Sequence, residues 1–479
     1  MASSRPGIAW GDRVQVPILN GIYADARARF RVRYPRNLVP VPQAQGISAG
    51  YLAPADGIAT FGAGPGLDRG GINWDGVCYR VMGTKLVRVE ESGAVNVLGD
   101  VGGGGAVTMD YGFDALAIWS GGRLYYWDGD LRRVSDPDLG TVIDGKWVAG
   151  YYVSTDGVSI VVTDLGDKFS VNPLKYGSSE ADPDPVLAID ELRNEVYSLG
   201  RYTIEAFQNV GGSGFPLQRI DGAHVPVGIV GTHAYAQFLQ TFAFVGSARN
   251  EPPAVYLMAP GSAQQISTSE IDQILATLTD DELAALLVET RVDKGHRHLL
   301  VHTPTQTLVY DAAASSSAGE PVWFTLDSGD LGGPRAYRAR GLVWCYGRWL
   351  CGDTESSSVG ALTAETADHY GAKIGWDFGT PVVYNGGRGA IVHQVELVAL
   401  TGGVPLGVDP VVWSSYSTDG QTWGVERPRK AGQAGERDKR LIWRNCGMLR
   451  NWRVQRFRGT SDARLSFARL EVQVEALNA

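Results

Sequence analysis

Short apolar runs bounded by Gly, Asn or Asp recur along the first three quarters of the chain, and they come in pairs. Residues 77–81 and 86–89 flank Met82-Gly83-Thr84, and 95–98 follow after a second Gly turn. Residues 115–119 and 123–127 flank Ser120-Gly121-Gly122, and Asp128-Gly129 turns into 131–134. Further pairs are 147–153 with 158–163, 196–199 with 202–207, 241–245 with 254–258, 299–301 with 307–310, and 342–345 with 349–351. Runs rich in Val, Tyr and Trp between such turns predict β-hairpins. One small antiparallel sheet repeated in this way must bury its faces against its neighbours, so the pattern predicts an all-β, β-propeller-like stack of meanders. At roughly 40–45 residues per blade it holds about six or seven blades.

Three segments depart from the repeat. Residues 1–55 are rich in Pro, Gly and Arg, and the stretch Tyr34-Pro35-Arg36-Asn37-Leu38-Val39-Pro40-Val41-Pro42 reads as an extended arm, because Pro at this density blocks helix and central strand. Within the repeat, residues 269–290 carry helical signals: Ser269 as an N-cap for 270–278, and Thr279-Asp280-Asp281-Glu282 as a capping box opening 283–290. After Trp376 the runs lengthen, at 381–384, 392–400, 411–416, 441–445, 452–457 and 465–474, which predicts a C-terminal β-sandwich over 376–479 behind a propeller over 56–375.

Composition agrees with an all-β chain: 62 glycines without a collagen period supply turns. No apolar stretch is long enough to span a bilayer, and the first residues lack a signal-peptide core, so the expected place of synthesis is the cytoplasm. Four scattered cysteines fit a reducing compartment better than a disulfide framework. Charge changes the picture more. The net charge is −9, yet residues 427–469 hold 13 Lys and Arg against three acids, which leaves −19 on the rest. A basic stretch on an acidic body predicts either a docking face for an acidic partner or nucleic acid, or arginines paired within their own fold.

The candidate chemistry is sparse. Gly46-Ile47-Ser48-Ala49-Gly50 has the spacing of a nucleophile elbow, but its Pro-rich context lacks the strand and helix that expose such a serine. His296, His298 and His302 would share one face of a strand, although a separation of four residues spans roughly 13 Å, too far for one metal ion. Cys345 and Cys351 flank a turn without a second Cys or His pair nearby, so free, partly buried thiols are expected rather than a disulfide or zinc site. Ser417-Thr418-Asp419-Gly420-Gln421-Thr422-Trp423 is one residue short of the Asp-box of sialidase-type propellers, and Ser154-Thr155-Asp156-Gly157 is a partial echo. Such a motif shapes a turn over a packed Trp and carries no glycosidase chemistry. No nucleotide loop or zinc-protease motif occurs. These residues predict no catalytic site and no cofactor or metal.

A co-linear series of short motifs runs through most of the chain: Gly50-Tyr51-Leu52, Tyr79-Arg80-Val81, Gly83-Thr84-Lys85-Leu86, Ala254-Val255-Tyr256, Ser269-Glu270-Ile271-Asp272, Leu308-Val309-Tyr310-Asp311-Ala312, Cys351-Gly352-Asp353, Thr418-Asp419-Gly420 and Asp438-Lys439-Arg440-Leu441-Ile442-Trp443. In these the chain resembles the tail-hub, or packaged-DNA stabilisation, proteins of short-tailed bacteriophages of the Salmonella podovirus type. The first thirty or so residues, with their ladder Arg27, Arg29, Arg31, Arg33, lie outside the likeness. The resemblance implies a structural, non-enzymatic virion tail protein: a ring, expected to be hexameric, below the portal and head-to-tail adaptor. It would retain packaged DNA, let it pass without sequence-specific binding during ejection, attach the tail needle and tailspikes or fibres, and insert in no membrane. A competing reading is a propeller-type carbohydrate-binding or receptor-binding phage protein. Because a DNA lumen should avoid strong attraction to phosphates, the basic stretch is assigned to docking: Arg437, Lys439, Arg440 and Arg444 are the residues expected to engage an acidic adaptor or neighbouring subunit.

Overall fold

The computed structural model describes residues 13–19, 21–25, 30–43, 48–179, 183–212, 214–384 and 389–477. The chain forms two compact units, one of residues 58–308 and 336–362, the other of residues 1–57, 309–335 and 363–479.

The first unit is a β-propeller. Blades one to four are four-stranded antiparallel sheets whose strands follow in chain order: Asp68–Trp74 to Val95–Asp100, Thr108–Tyr111 to Leu131–Arg133, Asp144–Val148 to Asp167–Ser178, and Val186–Leu192 to Leu217–Val225. Blade five runs from Gly228–Ile229 to Ser262–Gln265, and blade six opens with the hairpin Leu287–Asp293 and His296–His302. Blade seven joins Ala339–Cys345, Arg348–Asp353 and Ser358–Thr363 to Gly57–Ala63, so an early strand closes the ring on the last sheet and removes a free edge. The predicted hairpins lie within these blades, except that the run predicted as one strand at 147–153 is split by the Ala149-Gly150 turn into Asp144–Val148 and Tyr151–Thr155, and only the latter pairs with Ser159–Asp164.

The cores explain why the repeat was legible. Tyr79, Val81 and Leu86 of blade one pack with Leu116, Ile118 and Tyr125 of blade two. Trp119, Leu124 and Tyr126 of blade two pack with Tyr152 and Val161 of blade three. The same sharing joins blades three to four, four to five, and seven to one. Middle strands are covered on both faces by neighbouring blades, so they read as short continuous apolar runs. Burying a large side chain there contributes about 1.5–3 kcal/mol. Trp119, 2% exposed, adds an indole N–H donated to Ser154 of the next blade at 2.9 Å.

Six of the seven turns between first and second strands have two central residues, both with positive φ: Asp75-Gly76, Ala149-Gly150, Arg193-Asn194, Leu239-Gln240, Lys294-Gly295 and Tyr346-Gly347. This is the type I′ geometry that matches the twist of a hairpin. Blade two uses the longer Gly112-Phe113-Asp114-Ala115 instead.

The helical insertion is shorter than the sequence predicts. Helix α1 is Ser269–Leu275, with Thr268 rather than Ser269 at the N-cap. The predicted capping box is present, Thr279 with Glu282, but α2 ends at Ala284 and Leu287–Asp293 is a strand. Val288, Thr290 and Val292 place β-branched residues at alternate positions of a segment that registers on His296–His302, and tertiary pairing overrides the helical start.

The second unit is a β-sandwich. One sheet orders Leu38–Pro42, Gly50–Pro54, Ser466–Ala476, Ala390–Leu400 and Leu441–Arg444, with Arg13–Val16 also on Ser466–Ala476. The other orders Gly375–Gly379, Trp452–Thr460, Val411–Ser417 and Arg427–Lys430. Between them Phe378 meets Phe467 at 4.8 Å and Phe457 at 5.4 Å, and Trp376 meets Phe467 at 4.9 Å. Strands from the Pro-rich N-terminal stretch thus belong to this sheet. Arg36 fixes them: its buried guanidinium donates to Asp327 at 2.5 and 2.7 Å and to the carbonyls of Gly329 and Asp330 at 2.8 and 3.0 Å. Asn37, at φ 54°, donates to the Gly375 carbonyl at 2.7 Å and accepts the Asp327 N–H at 3.0 Å.

Candidate functional site

The innermost strands of the propeller carry a row of buried and partly buried carboxyls, Asp110, Asp144, Asp190 and Glu289. A carboxylate on one inner strand accepts a backbone N–H of the next: Asp110 from Trp147 at 2.8 Å, Asp144 from Ile189 at 2.8 Å, and Glu289 from Leu342 at 2.7 Å. Thr108 of blade two also donates its hydroxyl to Asp144, so this one carboxyl spans three blades. Lys146 lies 4.0 Å from Asp110 and 3.7 Å from Asp190. Burial pushes the Asp144 carboxyl up to about 7 against the hydrogen bonds from Thr108 and Ile189. Burial also acts to raise Glu289, yet His302 and the Leu342 N–H hold it below its ordinary value. Clustered, shifted carboxyls are a signature of active sites. Here their oxygens are engaged by the backbone of the adjacent blade, which makes them inter-blade clamps. Sequence reasoning missed them, because an isolated Asp or Glu in a polar inner strand has no local signature.

In the sandwich, ten of the thirteen basic residues between 427 and 469 are used within the unit. Seven form ion pairs: Lys430 with Asp409, Lys439 with Glu436, Arg440 with Glu396, Arg456 and Arg458 with Glu426, Arg464 with Asp56, and Arg469 with Glu471. Arg427 and Arg429 donate to the carbonyls of Arg444 and Ile442 at 2.6 and 2.7 Å, occupying acceptors along the edge strand Leu441–Arg444 from the neighbouring sheet. Arg453, pulled down to about 10 by burial, lies 3.9 Å over the Tyr416 ring and donates to the Cys446 carbonyl at 2.5 Å. Of the four residues assigned to docking, Arg440 holds Glu396 in a two-pronged pair at 2.6 Å, and Lys439 lies 3.6 Å from Glu436. Arg437 and Arg444 are exposed, with no side-chain partner among the described residues, and Arg450 is a third such cation.

The remaining candidates resolve separately. His296 and His298 stack with ring centroids 5.3 Å apart, while His302 turns to Glu289 and Thr307, each at 2.9 Å, so the three do not converge. All four cysteines are buried thiols outside any disulfide, and burial pushes Cys78 up to about 11. Cys345 registers on Arg348 and Cys351 on Gly360, so they do not face each other across the hairpin. Ser48 donates to the Gly50 carbonyl, and Gly46 and Ile47 lie outside the described residues, as do Arg27 and Arg29 of the ladder. In the Asp-box-like turn, Asp419 accepts the Thr422 and Gln421 N–H groups at 2.7 and 2.9 Å, which lowers its carboxyl to about 2. Trp423 is half-buried under Arg456, 4.2 Å from its ring. Asp156 of the echo accepts the Val158 and Ser159 N–H groups in the same way. A cavity of about 780 Å³ in the sandwich unit is lined by Val16, Ile18, Pro40, Pro42, Val322 and Trp323, among others.

Comparison with known proteins completes the picture. The family model described as "Bacteriophage P22 Gp10, beta-propeller" matches residues 14–367, and that described as "Bacteriophage P22 Gp10, beta-sandwich" matches residues 375–475. The tail hub protein gp10 of Salmonella phage P22 is 30% identical over 459 residues, covering 91% of this chain and 94% of that protein. Among solved structures, the N-terminal domain of Nup159 aligns with 68% of this chain and 98% of its own at 10% identity and a TM-score of 0.40. The Pan2 WD40 domain of Neurospora crassa aligns with 65% and 95% at 8% identity and the same score. Those two likenesses are too low to bear on function. The two family models follow one another along this chain, as propeller and sandwich do in its structure, and the chain belongs to the phage P22 Gp10 family of tail hub proteins, components of the virion tail.

Proposed function

We propose that the chain is a mechanical tail hub: it assembles as a ring, hexameric on the family pattern, below the portal and head-to-tail adaptor, retains packaged DNA, provides the conduit for ejection and carries the needle and tailspikes or fibres. The observation that carries this reading is the match to both family models over nearly the whole chain. The chemistry of the fold supports a structural role. Three inner-strand carboxyls of the propeller, Asp110, Asp144 and Glu289, are committed to inter-blade hydrogen bonds, and the Asp-box-like turn is a capped hairpin that folds its own backbone. Docking to the adaptor or a neighbouring subunit falls to the basic segment with Arg437, Lys439, Arg440 and Arg444, in which Arg437 and Arg444 retain uncompensated charge. Particles assembled without this chain test the proposal. They should package DNA and then lose it, and addition of the purified protein should restore retention. Particles that hold their genome without it would overturn the reading.

A further inference from the structure

One feature of the propeller stands apart from its clamps and pairs. Arg201 and Tyr202 lie in the connection between the second and third strands of blade four, Glu195–Gly200 and Ile204–Asn209. Arg249 lies in the corresponding connection of blade five, between Thr241–Ser247 and Ala254–Ala259. Equivalent connections emerge at the same end of neighbouring blades, and both guanidiniums approach one ring: Arg201 at 4.7 Å and Arg249 at 5.0 Å from the Tyr202 centroid. The two charges therefore sit within about 10 Å of each other, comparable with the screening length in 0.1 M salt. Neither has an acidic partner among the described residues. The Phe169 ring, approached by Arg132 and Lys168, makes the contrast, because those cations are neutralised by Asp128 and Asp114 at 2.6 and 2.7 Å.

The platform is held in place by the surrounding fold. Asp184 accepts the N–H groups of Tyr202 and Thr203 at 2.6 and 2.9 Å, so this carboxylate shapes the turn instead of pairing the arginines. Arg201 donates one N–H to buried Ser247 at 3.1 Å, and a Cβ on Gly228 would come within 2.4 Å of the Tyr202 nitrogen. Most donors of two planar forks stay available, and such forks match carboxylate geometry.

We infer that Arg201, Tyr202 and Arg249 form an anion-binding site that receives carboxylate side chains of a neighbouring protein. Protein carboxylates are favoured over nucleic acid by the field around the site. The propeller unit holds 20 Lys and Arg against 33 Asp and Glu, and DNA, with one charge per about 1.7 Å, would press many phosphates against that field. One or two carboxylates compensate the pair locally. This site does not depend on the tail-hub reading.

Titrating the purified chain with a fluorescent oligoglutamate peptide of only two or three glutamates, which brings the one or two carboxylates the site needs, tests the inference, with oligothymidine and inorganic phosphate as rival ligands. Arg201→Ala with Arg249→Ala should weaken oligoglutamate binding about tenfold, as loss of two charge-assisted contacts implies. Arg123→Ala with Arg133→Ala, which removes two exposed arginines elsewhere in the propeller that have no side-chain partner among the described residues, should leave it unchanged. Arg201→Lys with Arg249→Lys keeps the charge but not the fork, and should fall between. Equal loss in the Arg123/Arg133 variant, tighter binding of oligothymidine, or binding of free phosphate alone would overturn the assignment. Thermal melting of each variant distinguishes lost binding from lost fold, and wild-type preference among the three ligands needs no variant.

Discussion

Arg36 and Asp144 show how single buried charges organise each unit. Arg36 ties the N-terminal strands of the sandwich to the loop beginning at Asp327, through a pair whose side chains are 4% and 0% exposed. Replacing it by Met leaves a buried carboxylate and several carbonyls without their donor, and should cost the sandwich about 3–5 kcal/mol, measured by urea unfolding of the whole chain. Asp144 acts through its proton. Its carboxyl is raised from 3.8 to about 7 in the folded protein, so the folded state binds more protons than the unfolded state between those values. Its contribution to stability should therefore fall as pH rises from about 4 to about 7 and level off above, and Asp144→Asn should remove that slope. Urea midpoints across this range check it, and an unchanged slope in the variant would assign the titration elsewhere. Asp419 runs the other way: its lowered carboxyl favours the turn above pH 4, and that contribution is lost as pH falls towards 2.

At the scale of elements, the inner turns set the hairpins. Leu239 and Gln240 both take positive φ, 53° and 64°, where side chains are strained. Gln240→Gly should stabilise the protein by up to about 1 kcal/mol, the relief of strain exceeding the entropy gained by the unfolded chain, as a rise in melting temperature would record. The turns marked most clearly in the sequence join second to third strands, as in Met82-Gly83-Thr84 and Ser120-Gly121-Gly122. The inner turns Asp75-Gly76, Arg193-Asn194 and Lys294-Gly295 also carry Gly or Asn, but the strands that lead into them are not predicted from the sequence. Leu239-Gln240 carries no such mark. The middle strands were equally plain, being apolar on both faces. The inner strand Asp68–Trp74 and the outer strand Leu217–Val225 were not, because one carries buried charge and the other is largely exposed. The capping box at Thr279 was correct as local chemistry, yet its helix stops after one turn, because pairing of Leu287–Asp293 is decided by a partner strand and not by the cap. The arginines of the sandwich were visible as charge, but their partners, such as Glu396 for Arg440 and Glu426 for Arg456, are distant in sequence and appear only in the fold.

At the scale of the whole molecule, most of the basic stretch is consumed internally, so the docking proposal rests on a few cations acting together. Exposed pairs contribute only about 0–1 kcal/mol each. Replacing Arg437, Lys439, Arg440 and Arg444 together by Ser should weaken assembly onto adaptor-bearing heads and make the remaining binding less sensitive to salt, as read by sedimentation of the mixture. Unchanged assembly at every ionic strength would confine these side chains to the sandwich. A cryo-electron microscopy reconstruction of the particle's tail decides whether this chain is a hub. A closed ring of the chain beneath the adaptor, enclosing the path of the DNA, is the expected result. Density for the chain only at the tip of a fibre or spike, with none beneath the adaptor, would contradict it.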